Sequence, residues 1–224
     1  KVMLTRKPVA TKLYKKYRGD EIYKVFMEVS TPNLSDALQR KGEMRGINPI
    51  TMGVKAVGKA ITVRTYPGDW AKPVEAIDLA EPGDVIVVDA GGCDKAVWGE
   101  LATWSAVGRK LGGVVIDGAV RDVDTIRELK FPAFARYINP TAGDPKGFGE
   151  INIEVTCGGC KVQPGDWIVA DDNGVMVVRK DMVVEAANRA KDILEKENRI
   201  RAEIKMGSTL SKVLKLKKWE KLVG

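Results

Sequence analysis

Histidine is absent from all 224 residues of the chain. Its absence excludes Ser-His-Asp and Cys-His nucleophilic sites. It also excludes zinc sites built on imidazole, including HExxH helices and Cys2His2 fingers. With it goes the one side chain whose ordinary pKa lies near neutrality. Proton chemistry must therefore fall to carboxylates, Lys, Tyr, Cys or water, helped by a metal or an arginine. Three cysteines (Cys93, Cys157 and Cys160) are too few for a disulfide framework, so a reducing, cytoplasmic location is expected. No apolar run approaches the roughly 18 residues of a membrane-spanning helix, so no membrane role is expected. The basic N-terminal stretch has no apolar h-region and does not read as a secretory signal. The chain opens on Lys1 rather than Met, which leaves room for sequence ahead of it.

What is present points to one α/β domain over residues 1–224, with a core at about 28–207. A chain of this length buries about 70% of its unfolded surface and needs no staples. The net charge of +7 resembles a nucleic-acid signal until it is located. Residues 1–24 carry +6 and residues 205–224 carry +5, while the stretch between them carries −4. The basic excess thus belongs to two terminal segments, 1–27 and 208–224, both expected to be helical. RNA or an acidic partner could use them. The plainer reading is a pair of solvated helices, and a nucleic-acid partner is not expected.

Apolar periodicity predicts helices at 11–28, 30–42, 72–80, 98–112, 121–130, 181–206 and 208–222. Thr31, Asn33 and Ser35 are candidate caps for the second of these, and Gly112 and Gly113 close the fourth. Strands are expected at 54–65, 85–90, 113–118, 134–138, 150–156, 160–163, 167–171 and 175–178. Gly58 inside the first strand marks a bulge or close packing. The segment 113–118 is continuously apolar, as in a strand buried on both faces. Pro82-Gly83-Asp84 and Pro164-Gly165-Asp166 each precede an apolar run and read as a repeated turn-to-strand device. Asp172-Asn173-Gly174 between two apolar runs is a hairpin signal. Alternating strands and helices followed by hairpins predict a layered α/β architecture with a mixed sheet and C-terminal helices. Residues 139–149, rich in Gly and Pro, form a candidate active-site rim.

Three segments carry chemistry. At the carboxyl end of the 113–118 strand, where α/β sheets bind ligands, stand Arg121 and Asp122. Arg121 offers a bidentate fork to a carboxylate. Asp122 offers a hard oxygen to Mg²⁺, which takes few protein ligands and keeps waters. Alternatively, Asp122 caps the helix that follows and Arg121 makes a surface ion pair. The second segment, residues 91–101, runs from a Gly-containing loop into a helix start, where N–H groups and the helix dipole favour an anion. An ordinary strand-to-helix connection is the alternative. Cys157-Gly158-Gly159-Cys160 is a lone CxxC, read as a Gly-Gly hairpin turn rather than a redox dithiol. Glu197 and Arg201 stand at i, i+4 on the long helix, a spacing that by itself means surface pairing.

Taken in order, several segments resemble one family. They are Ser35-Asp36-Ala37-Leu38, the strand at 83–89, Trp98-Gly99-Glu100-Leu101-Ala102, and Gly113 through Asp122 with its Asp117-Gly118-Ala119-Val120-Arg121-Asp122 ending. Pro132, Phe134 and Ala135 follow, then the Pro164-Gly165-Asp166 segment. The chain resembles the regulator of ribonuclease activity A (RraA-like) family and its enzymatic relatives, the 4-hydroxy-4-methyl-2-oxoglutarate aldolases, over about residues 28–207.

The resemblance implies a compact α/β/β-sandwich assembled as a homotrimer or homohexamer, with active sites between subunits. It implies a metal-dependent (class II) aldolase or oxaloacetate decarboxylase using Mg²⁺ or Mn²⁺ and releasing pyruvate from a 2-oxo acid. In this pattern Asp122 holds the metal and Arg121 contacts the substrate. Trp98, Gly99, Glu100 and Leu101 form the loop that receives the pyruvyl carboxylate. Glu100, together with Glu197 from a neighbouring subunit, positions a water. Glu100 stands where many of the aldolases carry Asp, and the added methylene shifts the carboxylate by roughly 1 Å. Decarboxylation needs no base and tolerates that shift better than retro-aldol cleavage. The family also implies an alternative, a non-catalytic trimeric regulator that binds a ribonuclease or another protein.

Overall fold

In the computed structural model, which describes residues 19–216, the apolar runs become adjacent parallel strands. These are β2 (Ala56–Thr65), β3 (Val85–Asp89), β4 (Gly113–Val120) and β5 (Ala133–Ile138), preceded by the short β1 (Asn48–Pro49). The connections between β2 and β5 are the helices α3 (Ala71–Leu79), α4 (Glu100–Gly108) and α5 (Val123–Glu128). Every residue of β4 is buried, which explains its unbroken apolar run. Val114 and Ile116 face the layer of α3, α4 and α5, with Ile77, Ala106 and Ile126. Val115 faces the other way, toward Val87, Phe134 and Ile168. Each such side chain contributes roughly 1.5–3 kcal/mol by leaving water.

The later hairpins close the sandwich. β9 (Trp167–Asp171) and β10 (Gly174–Val178) pair antiparallel, and β9 also pairs antiparallel with the first half of β2. The second half of β2 pairs instead with β3 and with β6 (Gly149–Ile151). One strand therefore belongs to both halves of a mixed sheet of order β1-β5-β4-β3-β2-β9-β10. The small hairpin of β7 (Val155–Cys157) and β8 (Cys160–Val162) contributes to the apolar layer between the halves. On the outer face of β9 and β10 lie α1 (Asp20–Glu28), α2 (Thr31–Ala37) and the long α6 (Val183–Lys205). The order helix, sheet, sheet, helix agrees with the expected α/β/β-sandwich and C-terminal helices.

Local chemistry explains most of the boundaries. Ser30, not Thr31, is the N-cap of α2: its hydroxyl accepts from Asn33 N–H, while Asn33 Oδ1 accepts from Ser30 N–H, both at 3.1 Å. The α1–α2 junction is held from below. Lys55 Nζ donates to the carbonyls of Met27 and Val29 at the end of α1. The Asp171 carboxylate accepts the Thr31 hydroxyl at 2.6 Å and the Thr31 N–H at 2.9 Å at the start of α2. Each charge opposes the nearer helix-dipole end. Burial works against the Asp171 anion, yet these bonds and those from Asn173 hold its carboxyl below the ordinary range.

The two Pro-Gly-Asp segments make the same turn. Gly83 and Gly165 have φ of +90° and +86°, as a type II turn with Pro before Gly requires. In each, the Asp carboxylate accepts an N–H three residues back, from Glu81 at 2.9 Å and from Gln163 at 2.8 Å. Gly158 and Gly159 also have positive φ and form the two-residue turn between β7 and β8. The helix expected at 98–112 is shorter, because Gly99 is extended and the helix ends at Gly108, before Gly112 and Gly113. At the C-terminus, α7 (Leu210–Leu214) is all that the described residues show of the helix expected at 208–222. The expected N-terminal helix is seen as α1, and residues 1–18 and 217–224 of the basic ends lie outside the described part.

Gly58 marks close packing rather than a bulge. Its register with β9 is unbroken, and a Cβ there would lie 2.0 Å from the Gly83 carbonyl oxygen. The first Pro-Gly-Asp turn thus rests directly on β2. Gly58→Ala is expected to lower stability by about 1–3 kcal/mol through overpacking, read as a lower urea midpoint with unchanged slope. A variant as stable as wild type would show that the turn moves freely.

Candidate functional site

The chain leaves β4 at Val120 and turns sharply. Asp122 sits at the N-cap position of α5 with φ 57° and ψ 38°, a left-handed conformation, and its side chain makes no cap bond to that helix. A non-Gly residue held there is uncommon and is found at sites where other contacts enforce it. The enforcing contact is across the sheet: Asp122 Oδ2 accepts the backbone N–H of Glu100 at 3.0 Å. Asp122 therefore caps α4, not α5. Gly99 makes this approach available, because a Cβ there would stand 2.6 Å from Asp122 Oδ2 and 3.2 Å from Arg121 Cγ.

The loop that delivers Gly99 is pinned on both sides. Ala96 bridges Ala119 on β4 and Ala142 in the 139–149 loop. Val97 N–H donates to Ala119 O at 3.1 Å, and Arg121 N–H donates to Trp98 O at 3.0 Å. Trp98 is 3% exposed. Its indole N–H donates to the Thr103 hydroxyl at 2.9 Å, which donates to Gly99 O at 2.8 Å. The first turn of α4 is thus fixed from inside. The Thr103 N–H takes Gly99 O as well, so the N–H groups of Leu101 and Ala102 fall among the orphan donors of a helix start. They point into a positive dipole end that suits a carboxylate.

These residues surround a cavity of about 230 Å³ at the carboxyl ends of β3 and β4. Trp98, Gly99, Glu100, Leu101, Arg121 and Asp122 all line it. Five of them are presented as a site, while Trp98 forms the buried support. Arg121 Nε lies 3.9 Å from Asp122 Oδ2, and both side chains are nearly half exposed. Ala142 places the 139–149 loop on the rim. A wider groove of about 460 Å³ beside α2 has Glu43 as its one charged lining residue and holds none of the expected groups.

Glu197 stands apart within one protomer. Its Oε2 accepts Asn33 Nδ2–H at 2.9 Å, tying α6 to α2. Arg201, its expected i, i+4 partner, donates to Asn198 instead. The CxxC segment is also remote in character. Burial, then the charges of Asp89 and Asp117, push the Cys157 thiol well up, and burial pushes up Cys160. Thiols so raised are poor nucleophiles, which fits a hairpin turn.

A metal can be tested against the donor set. Asp122 offers one hard carboxylate whose Oδ2 already accepts a single N–H. No group of three or more His, Cys, Asp or Glu is placed to hold a metal among the described residues. A lone carboxylate beside open solvent fits an ion that keeps its waters, as Mg²⁺ or Mn²⁺ does, rather than one needing a full protein cage. Reading the sequence for chemistry missed Thr103 and Trp70, which also lines the cavity. The four-residue step from Gly99 to Thr103, one helical turn, was the available signal for the first. Among the described residues no helix is long and apolar enough to cross a membrane.

The comparisons agree with this geometry. The family model described as RraA-like, Aldolase/RraA, matches residues 31–177, which includes the cavity residues and leaves out Glu197. An uncharacterized protein of Methanocaldococcus jannaschii is 44% identical, covering 86% of this chain and 93% of its own. A Halalkalibacterium halodurans protein named "Putative 4-hydroxy-4-methyl-2-oxoglutarate aldolase" is 37% identical, covering 74% and 80%. Among solved structures, Streptomyces coelicolor RraAS2, titled an unusual member of the RNase ES inhibitor RraA protein family, superposes with a TM-score of 0.75. It is 26% identical and covers 83% of this chain and 98% of its own.

Thr103→Val keeps the shape but strands the buried Trp98 N–H. The expected cost is about 1–3 kcal/mol, with Thr103→Ser close to wild type in the same urea titration. Equal stability of Val and Ser variants would remove the relay from the account of the loop.

Proposed function

The chain belongs to the RraA-like family, and on that premise we propose that it is a divalent-metal-dependent lyase that releases pyruvate from a 2-oxo acid. One observation carries the reading. A carboxylate, a guanidinium and the start of α4 converge on one cavity at the end of a fully buried strand. The name of the Halalkalibacterium relative supports an aldolase.

The chain's own residues divide the work as follows. The Leu101 and Ala102 N–H groups receive the substrate carboxylate at the α4 dipole. Arg121 forms a charge-assisted contact with the oxygens that become negative as the C–C bond breaks. Asp122 would hold Mg²⁺ or Mn²⁺, partly through water, and its bond to Glu100 N–H fixes where. When bound, the ion supplies Lewis-acid stabilisation of the enolate charge. Glu100, with Glu197 of a neighbouring subunit, would position the water that takes the proton of a C4 hydroxyl. Decarboxylation of oxaloacetate needs only the first three functions. The assembly this requires is a homotrimer or homohexamer. The exposed Leu101, Trp104 and Val107 on α4, beside the cavity, are suited to such a contact.

A second reading is a regulator that binds a ribonuclease or another protein, supported by the likeness to RraAS2. The two are separable. Pyruvate release from oxaloacetate with Mg²⁺ should fall about a hundredfold or more with EDTA and in Asp122→Ala. Release unaffected by both would sink the lyase reading. Capture of a ribonuclease that survives Asp122→Ala but is lost on trimming residues 208–224 would establish the regulator.

A further inference from the structure

Beyond the charged mouth, the cavity changes character. On the side away from Arg121 it is walled by Trp70, Val74, Leu101, Ala102 and Ala142. Trp70 comes from the start of α3, Leu101 and Ala102 from α4, and Ala142 from the rim loop. The wall is built, not draped. The Trp70 indole N–H donates to Gly143 O at 3.1 Å. Gly143 N–H donates to Gly68 O at 3.1 Å. Gly68 and Gly143 touch so closely that a Cβ on either would lie 3.0 Å or less from the other's backbone. The rim loop is thereby locked against the segment that carries Trp70, and the indole is left 36% exposed.

Charge makes the same point. Arg121 is the one Lys or Arg that lines the cavity, and its acidic neighbours there are Glu100 and Asp122. One guanidinium and two N–H groups suffice for the carboxylate at C1. A second carboxylate at the far end of the substrate would meet an indole and aliphatic carbons and find no cation. Stripping its water without replacing the hydrogen bonds is costly, whereas an apolar group gains by burial.

We propose that the cavity takes a 2-oxo acid whose distal substituent is apolar, an aryl or alkyl group, in preference to one ending in a second carboxylate. The inference rests on the lyase reading for its chemistry but on the wall alone for its specificity. In the reaction, the C3–C4 bond of a 4-hydroxy-2-oxo acid breaks and its electron pair passes to the pyruvate enolate. The C4 hydroxyl gives up its proton, C4 leaves as an apolar aldehyde, and the enolate takes a proton at C3 to give pyruvate. No oxidant or reductant is needed.

Two measurements on the full chain with Mg²⁺ separate the claims. Calorimetric titration compares 4-phenyl-2-oxobutanoate with 2-oxoglutarate. Pyruvate release compares 4-hydroxy-4-phenyl-2-oxobutanoate with 4-hydroxy-2-oxoglutarate. The phenyl compound is expected to bind about tenfold more tightly or better, and to be cleaved with the higher kcat/KM. Trp70→Arg should reverse the binding preference, and Trp70→Phe should keep it, with circular dichroism confirming that both fold. A phenyl preference without any cleavage upholds the apolar subsite and overturns the lyase reading. Cleavage of both substrates with 2-oxoglutarate bound equally or better upholds the lyase and overturns the subsite. Failure of either ligand to bind overturns the subsite as well.

Discussion

The cleft depends on a single hydrogen bond, from the Glu100 N–H to the Asp122 carboxylate, made across a residue that has no side chain. It joins two segments 22 residues apart, and each needs the other. Without the bond, α4 loses the partner of an N-terminal donor. Without the constraint, Asp122 has little reason to hold a left-handed backbone. Strain at one residue and an unsatisfied donor at another are thus resolved together, and the shared product is a carboxylate fixed beside a guanidinium. The fully buried β4 supplies the rigid base on which this is possible.

Much of the architecture was legible because it is written in local chemistry. Burial of β4 on both faces requires an unbroken apolar run, and Gly113 through Ile116 show one. The Pro-Gly-Asp turns each need φ > 0 at their Gly and a short acceptor after it. The hairpin at Asp172 and Asn173 likewise announces itself. What was not legible was mostly non-local. Nothing near Thr31 in the sequence shows that Asp171, 140 residues away, holds it. Ser30 became the cap because Asn33 could answer it, a reciprocity that single-residue preference does not reveal.

At the cleft the same division holds. Arg121 and Asp122 stood out because they follow a strand end, where α/β sheets place ligands. The two local readings of Asp122, a metal ligand or a cap of its own helix, both looked forward along the chain, and the structure turns the side chain sideways to α4. The Trp98–Thr103–Gly99 relay was hidden, since a buried threonine looks like any other small helix residue until its partners are seen. Glu197 shows the reverse. Its pairing with Asn33 is plain within the chain, and any role at the cleft depends on a second subunit.

β2 serves both halves of the sheet, and that has a consequence for how the chain comes to be folded. Its C-terminal half can pair with β3 soon after both are made. Its N-terminal half must wait for β9, whose partner residues lie more than a hundred positions further on. During synthesis one ribbon is therefore half satisfied and half bare, with Ala56, Val57, Gly58 and Lys59 offering unpaired backbone groups. Contacts of such long sequence separation form late and slowly. Lys59, exposed in an otherwise buried strand, places a charge on that bare edge at the time when a neighbouring nascent chain could otherwise pair with it.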